Sequence, residues 1–374
     1  MRVLLVTGSF PPMTCGVGDY TRSLAHELAR SVDVAVLTSV EAGPAGARDR
    51  CEMFPCIRTW AGDELPAVRD VVRRWQPDVV HVQLPTQGYR GNLAPRLPVL
   101  LPLAGLPVVQ TWHEYFPVVD GPFWRVLSLG LPPGDVIVVR PGYRHHMALW
   151  HQSLTAMKRI HLIPNASTIP RATLSDSDRA AWRRRYAQGA SVLLAFFGFL
   201  LEHKGIDDAL QIMDVHRHHL ILIGEPNDSD PYQRALLRRI AEPPFAGRVT
   251  VTGFLSPADV ACTLAAADAV VLPFRNGGGS WNTSLHAAIL QGTFVLTTST
   301  ERHGFDADAN TYYARPGDRG DLKQALERYA GHRGPADPPA LVAPAWPDIA
   351  ARHLAIYERN IRSRWRVFKR LREP

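Results

Sequence analysis

Residues 191–224, SVLLAFFGFLLEHKGIDDALQIMDVHRHHLILIG, read as strand, glycine turn, helix and strand. The apolar run SVLLAFFG (191–198) stops at a glycine, Lys204-Gly205 opens a helical stretch, and HLILIG (219–224) is a second apolar run ending at a glycine. Runs that are apolar without alternation suit strands buried on both faces of a parallel sheet. The pattern continues through RVTVTG (248–253), DAVVLPF (268–274) and TFVLTT (293–298), and an equivalent series precedes it: VLLV (3–6), VAVLT (34–38), DVVHV (78–82), PVVQT (107–111) and DVIVV (135–139). Between the first two of these lies GDYTRSLAHELAR (18–30), in which Leu24, Ala25 and Leu28 share a helical face while Arg22, Glu27 and Arg30 point elsewhere. Two such series predict an α/β chain of two Rossmann-like, doubly wound domains.

The chain's 374 residues exceed what one core usually serves. The Pro-, Ser- and Asp-rich stretch at 164–180 marks a linker, so we expect a first domain over 1–170 and a second over 171–340. A proline-rich connector (331–347) then leads to an amphipathic helix in the segment 341–374, with Ile349, Leu354, Ile356, Tyr357, Ile361, Trp365, Phe368 and Leu371 as its apolar set. Two readings stand for it: a closing helix packed on the first domain, or a basic face resting on anionic lipid.

A content of 46% hydrophobic and 21% charged residues excludes a disordered chain. Much of the net charge of +7 falls in the last 16 residues, which disfavours a nucleic-acid-binding surface. Cys15, Cys51, Cys56 and Cys262 form neither a CxxC pair nor a disulfide framework, so a reducing, cytoplasmic setting is expected. The opening MRVLLV is too short for a signal-peptide core, and Pro98, Pro102 and Pro107 interrupt the Leu-rich stretch 97–109, so no membrane span is expected.

Ligands of an open α/β sheet bind beyond the carboxyl ends of its strands, so the informative residues follow each apolar run. GSFPPMTCGVGD (8–19) places Gly16 and Gly18 at a helix N-terminus, where the backbone approaches an anion, with a plain tight turn as the alternative. QTWHEYF (110–116) sets His113 and Glu114 just after a strand, and Trp112, Tyr115 and Phe116 serve either as packing or as a sugar platform. Lys204 beside a helix start suits a diphosphate, the surface lysine being the bland reading. In FRNGGGSWNTSLHAAILQG (274–292) a glycine run leads to Asn282, Thr283 and Ser284, with Asn282 or Thr283 as a good N-cap. The acidic triplets at 176–178, 228–230 and 306–308 lie in polar loops, and no metal site is assigned to them or to the His216, His218, His219 group. No GxGxxG or Walker A pattern appears, so no dinucleotide or other cofactor is expected.

These segments together resemble glycosyltransferase family 4, retaining and metal-independent enzymes of the GT-B fold. FPPMTCGVGDYTRSLAHELA is similar to the family's amino-terminal glycine loop and helix, PDVVHVQ and QTWHEY to its fourth and fifth strand ends, and IPNAST to its hinge. GFLLEHKG is similar to its donor-phosphate segment, and VTGFLSPADVACTLAAADAVVLPF to the stretch before the donor helix. The resemblance implies two domains facing across a cleft and sugar transfer from a nucleotide diphospho-sugar to a carbohydrate or lipid-linked acceptor, as in cell-envelope polysaccharide synthesis. It implies His113, Glu114 and Asp19 as catalytic candidates, and Gly16, Gly18, Lys204, Arg275, Asn282, Thr283, Ser284 and Leu285 as donor-binding ones. In this reading His113 contacts the donor sugar and Lys204 the pyrophosphate. The chain departs from the pattern where the family has an arginine five residues before the lysine (Phe199 here, the cation being either missing or supplied elsewhere, as by Arg275) and two glutamates at the donor helix (Gly279 and Ala287 here). The segment is similar to a variant subgroup led by Thr283-Ser284-Leu285. The alternatives are a nucleotide-sugar epimerase of the same fold and a non-catalytic sugar-nucleotide-binding protein.

Overall fold

In its first half the chain lays down β1 (Arg2–Val6), β2 (Asp33–Ser39), β3 (Glu52–Ile57), β4 (Val79–Leu84), β5 (Val108–Trp112), β6 (Gly134–Val138) and β7 (Lys158–Leu162), with helices α1 (Gly16–Leu28), α2 (Leu65–Trp75), α3 (Leu97–Leu103) and α4 (Leu149–Leu154) among them. This computed structural model describes residues 1–43, 50–114, 134–147, 149–334 and 344–372. The strands form one parallel sheet in the order β3-β2-β1-β4-β5-β6-β7. Val3, Leu4, Leu5 and Val6 are fully buried, as the unbroken apolar run predicts for a strand covered on both faces. The chain moves outward from β1 through β2 and β3, then returns to β4 on the other side of β1. That reversal leaves a crevice at the carboxyl ends of β1 and β4.

The second half repeats the plan with β8 (Val192–Phe197), β9 (His218–Ile223), β10 (Val249–Val251), β11 (Ala269–Leu272), β12 (Phe294–Thr298), β13 (Gly304–Asp306) and β14 (Thr311–Ala314). Their order is β10-β9-β8-β11-β12-β14-β13, parallel except for the antiparallel β13–β14 pair. The reversal here lies between β8 and β11. Helices α5 (Asp176–Ala187), α6 (Ile206–Ile212), α7 (Pro231–Ala241), α8 (Pro257–Ala266), α9 (Thr283–Leu290) and α10 (Arg319–Tyr329) connect the strands. The chain ends in α11 (Trp346–Arg372). Two units result: Met1–Asn165 with Ala345–Pro374, and Ala166–Pro344.

Helix α11 belongs to the first unit because polar anchors join its apolar stripe. Ile349, Ile356 and Tyr357 are buried. The fully buried Asp135 carboxylate on β6 accepts from Arg159 (2.8 Å), Arg359 (2.5 Å) and Asn360 (2.8 Å), and lies 2.5 Å from His161. Burial alone would raise this carboxyl, but the hydrogen bonds of Arg159, His161 and Asn360 outweigh it and hold the group down at about 2. The side chains of Trp365, Phe368 and Leu371 lie outside the described residues. No helix among the described residues is long and apolar enough to cross a membrane.

Candidate active site

At the carboxyl edge of the first sheet, the loop from β1 to α1 is fastened by its neighbours. Ser39 Oγ donates to the Gly8 carbonyl (2.5 Å), Trp60 Nε1 donates to Ser39 Oγ (2.8 Å), and the Gly88 N–H donates to Ser9 Oγ (2.8 Å). A side chain on Gly8 would run into Thr86 and Tyr89, and one on Gly88 into the Gly8 carbonyl. The structure separates the two glycines of α1. Gly16 borders open space, whereas a Cβ on Gly18 would stand 3.0 Å from the Ser9 carbonyl oxygen. Gly18 therefore serves the close packing of α1 on its own loop, a constraint that Gly16 does not share. Asp19 is exposed on the first turn of α1.

His113 follows β5, its N–H bonded to the Leu84 carbonyl (2.8 Å) and its ring almost wholly buried. Its Nε2 lies 2.8 Å from Gln83 Oε1, and the Tyr20 ring meets it edge-on at 4.7 Å. Glu114 pairs with Arg140 at 2.6 Å, so a strand-end cation offsets its charge. Tyr115 and Phe116 lie outside the described residues. Trp112 is buried, donates to Gln110 Oε1 (3.0 Å) and faces Tyr143, which places it in packing.

Sequence reasoning passed over the polar cluster behind His113. Gln83, His81, Thr111, Tyr20, His353 and Tyr357 are all buried there. The available signal was the pair His81 and Gln83, two residues apart and hence on one face of an otherwise apolar strand. Burial keeps the imidazoles neutral, drawing His113 down to about 3, His353 to about 4 and His81 well below the usual histidine range; for His81 and His113 a neighbouring histidine adds to the effect. The folded protein thus refuses protons that the unfolded chain accepts. Stability is present in full above about pH 6.5 and is lost progressively as the pH falls below it. Urea midpoints measured from pH 7.5 to 5 should decline accordingly; a flat profile would contradict the burial.

In the second sheet the crevice between β8 and β11 gathers the other candidates. Lys204 ends a short turn, Glu202–Lys204, with Nζ 5.2 Å from the centre of the Phe274 ring. Gly205 holds φ +77°, and a methyl there would fall on the Pro273 carbonyl oxygen. Only glycine meets both demands, and this presses the lysine turn against the end of β11. Gly205→Ala should lower unfolding stability by about 2 kcal/mol or more, read from urea denaturation, because backbone rather than a flexible side chain must move.

The guanidinium of the exposed Arg275 bonds Glu202 (2.6 Å) and Asp207 (3.1 Å). Asp207 also pairs with Arg239 (2.9 Å), so two carboxylates balance two cations, and in this arrangement Arg275 clamps the Lys204 turn. Asn282 is the N-cap of α9, yet its Oδ1 accepts from the Gly279 N–H (2.9 Å), reaching back into the glycine loop, and no side chain caps the helix. The first N–H groups of α9, at Thr283 and Ser284, are accordingly left without a side-chain cap. Leu285 has its side chain in the core, and its N–H donates to the Asn282 carbonyl (3.1 Å).

The acidic triplets have local work. Asp178 completes a capping box with Ser175, Asp230 caps α7, and Asp306 accepts from the N–H groups of Asp308 and Ala309. Among the described residues no three His, Cys, Asp or Glu side chains converge as a metal site requires.

The model of Glycosyltransferase Family 4 matches residues 14–167, and that of Glycosyl transferases group 1 matches residues 191–332. The chain belongs to glycosyltransferase family 4. Solved structures carry the same GT-B fold over almost the full length of this family 4 enzyme. Anabaena HepE, in complex with UDP and glucose, is 15% identical with a TM-score of 0.67, covering 97% of this chain and 99% of its own. Sucrose-phosphate synthase from Thermosynechococcus elongatus is 16% identical with a TM-score of 0.66, covering 99% of each chain. WaaG, a glycosyltransferase involved in lipopolysaccharide biosynthesis, is 15% identical with a TM-score of 0.60, covering 96% and 98%. No curated protein matches the chain.

Proposed function

We propose that this glycosyltransferase takes its sugar from a nucleoside diphosphate sugar and passes it, with retention at the anomeric carbon, to a carbohydrate or lipid-linked acceptor in cell-envelope polysaccharide or glycoconjugate synthesis. The observation that carries the reading is the crevice of the second sheet, where the Lys204 turn and the uncapped start of α9 flank one switch point. Breaking the glycosidic bond leaves growing negative charge on the departing diphosphate, and an ammonium with backbone N–H groups stabilises that charge without a metal or other cofactor. The acceptor oxygen forms the new bond to the anomeric carbon, and its proton passes to the leaving phosphate oxygen. His113, at the edge of the first sheet, would hold a hydroxyl of the transferred sugar. The UDP and glucose held by HepE and the lipopolysaccharide role of WaaG support this donor and acceptor class. We place the enzyme in the cytoplasm, where the basic sequence of residues 359–374 suits contact with anionic lipid.

A thermal-shift screen tests the reading. Nucleoside diphosphates and their sugars at about 100 times Kd should stabilise the protein by about 2.7 kcal/mol, and the matching nucleosides should have little effect. No stabilisation by any diphosphate would defeat it. The anomeric configuration of the product, read by NMR, decides retention.

A further inference from the structure

The polar cluster behind His113 has a direction that can be worked out atom by atom. His353 Nδ1 lies 2.7 Å from the Ile349 carbonyl, which can only accept, so Nδ1 carries the proton and Nε2 is the acceptor. Tyr20 OH, 3.2 Å from that Nε2, is therefore the donor, which fixes the ring that packs on His113. Trp346, at the start of α11, covers the other side of Tyr20 with ring centres 5.2 Å apart. On the sheet side, His81 has Nδ1 2.6 Å from Tyr357 OH and Nε2 2.7 Å from Thr111 Oγ1. Both its nitrogens are engaged by hydroxyls, and the Gln83 amide nitrogen lies 3.2 and 3.4 Å from them. His81 has no N–H left for a carbonyl oxygen, and the Gln83 amide nitrogen, nearly equidistant from the two ring nitrogens, lies against the electron-rich ring, where an N–H is favoured over a carbonyl oxygen. This orients the amide of Gln83, turning its Oε1 toward His113 Nε2 at 2.8 Å. A carbonyl oxygen accepts, so His113 must donate from Nε2.

We infer that Gln83 is a positioning residue for His113: its side-chain carbonyl, backed by His81 and by Tyr357 of α11, selects the Nε2–H tautomer and leaves Nδ1 as the ring's acceptor for a sugar hydroxyl. The inference rests on the reading of His113 as a sugar contact. It gives α11 a part in the site although none of its groups need touch the substrate. Burial of every member makes the selection firm, because an unpartnered N–H or lone pair here has no water to turn to.

The test separates tautomer from activity. Nitrogen-15 imidazole spectra of the full chain, with His113 assigned through His113→Gln, should show the Nε2–H form in the wild type. In Gln83→Leu the same resonance should shift toward a mixture of tautomers, while the thermal midpoint records whether the variant is folded. Gln83→Glu, should the leucine variant fail to fold, offers a stronger acceptor and should retain Nε2–H. Tyr357→Phe should cause a smaller shift in the direction of Gln83→Leu. In turnover assays, Gln83→Leu should lower kcat by about tenfold with the donor KM within twofold, and Gln83→Glu should recover part of the loss. An Nδ1–H tautomer in the wild type, or a His113 signal identical in folded Gln83→Leu, would overturn the inference whatever the activities show. Full activity of His113→Ala would instead remove the reading on which it rests.

Discussion

Lys204→Ala is expected to lower turnover by about 10²- to 10³-fold and to weaken the binding of free nucleoside diphosphate. The argument begins with Gly205, whose φ of +77° and contact with Pro273 hold the turn against the end of β11. It continues with Arg275, which ties that turn to Asp207 through Glu202 and so supplies rigidity in place of free charge. Phe199, Gly279 and Ala287 supply no charge either, and Ala287 lies in the core. In the proposed reading the developing diphosphate charge therefore falls to the lysine and the uncapped N–H groups of α9. Lys204→Arg should recover affinity in part, since the charge returns on a longer, planar group. Calorimetry with the nucleoside diphosphate found by the thermal screen decides it: an unchanged Kd in Lys204→Ala would take Lys204 out of the site.

The two sheets were legible because their central strands are buried on both faces and read as continuous apolar runs, as in VLLV and LLAFF. Edge strands were less so: RVTVTG of β10 read as a strand, but β3 and β7 did not. EMFPCI of β3 carries a proline and KRIHL of β7 a lysine, an arginine and a histidine, because an edge strand tolerates polar groups and a missing N–H. The short β13–β14 pair lacks a periodic signature for the same length reason. In the site, glycines announced the loops, since a tight approach or a positive φ leaves a mark in one residue. Partnerships did not. Arg275 finds Glu202 across 73 positions, His81 finds Tyr357 across 276, and Tyr20 finds His353 across 333. Such pairs become visible only once the sheet order and the return of α11 are known, and they tie Arg275 to the Lys204 turn and make a strand-end histidine a member of a network.

His113→Ala is expected to reduce kcat by about 10²-fold while leaving the Kd for free nucleoside diphosphate unchanged. The imidazole sits at the end of β5 in the first unit, whereas the elements proposed for the diphosphate belong to β8, β11 and α9 in the second, so the loss should fall on the sugar and not on the nucleotide. Burial draws the ring's pKa down to about 3 and keeps it neutral, so no general-acid role near neutral pH is open to it, and the contribution expected of it in the proposed reading is a hydrogen bond that strengthens as the sugar ring becomes cationic. Charge repulsion has the opposite effect: an imidazolium at this place would oppose that cation. The pH dependence of kcat should therefore be flat from about pH 6 to 8 as far as His113 is concerned, in the wild type and in His113→Asn alike. His113→Asn, which keeps a neutral donor and acceptor on a shorter side chain, should retain more activity than His113→Ala. Equal kcat in wild type and His113→Ala would leave the residue a role in packing alone, and a matching drop in nucleotide affinity would mean that the substitution disturbs folding well beyond the sugar contact.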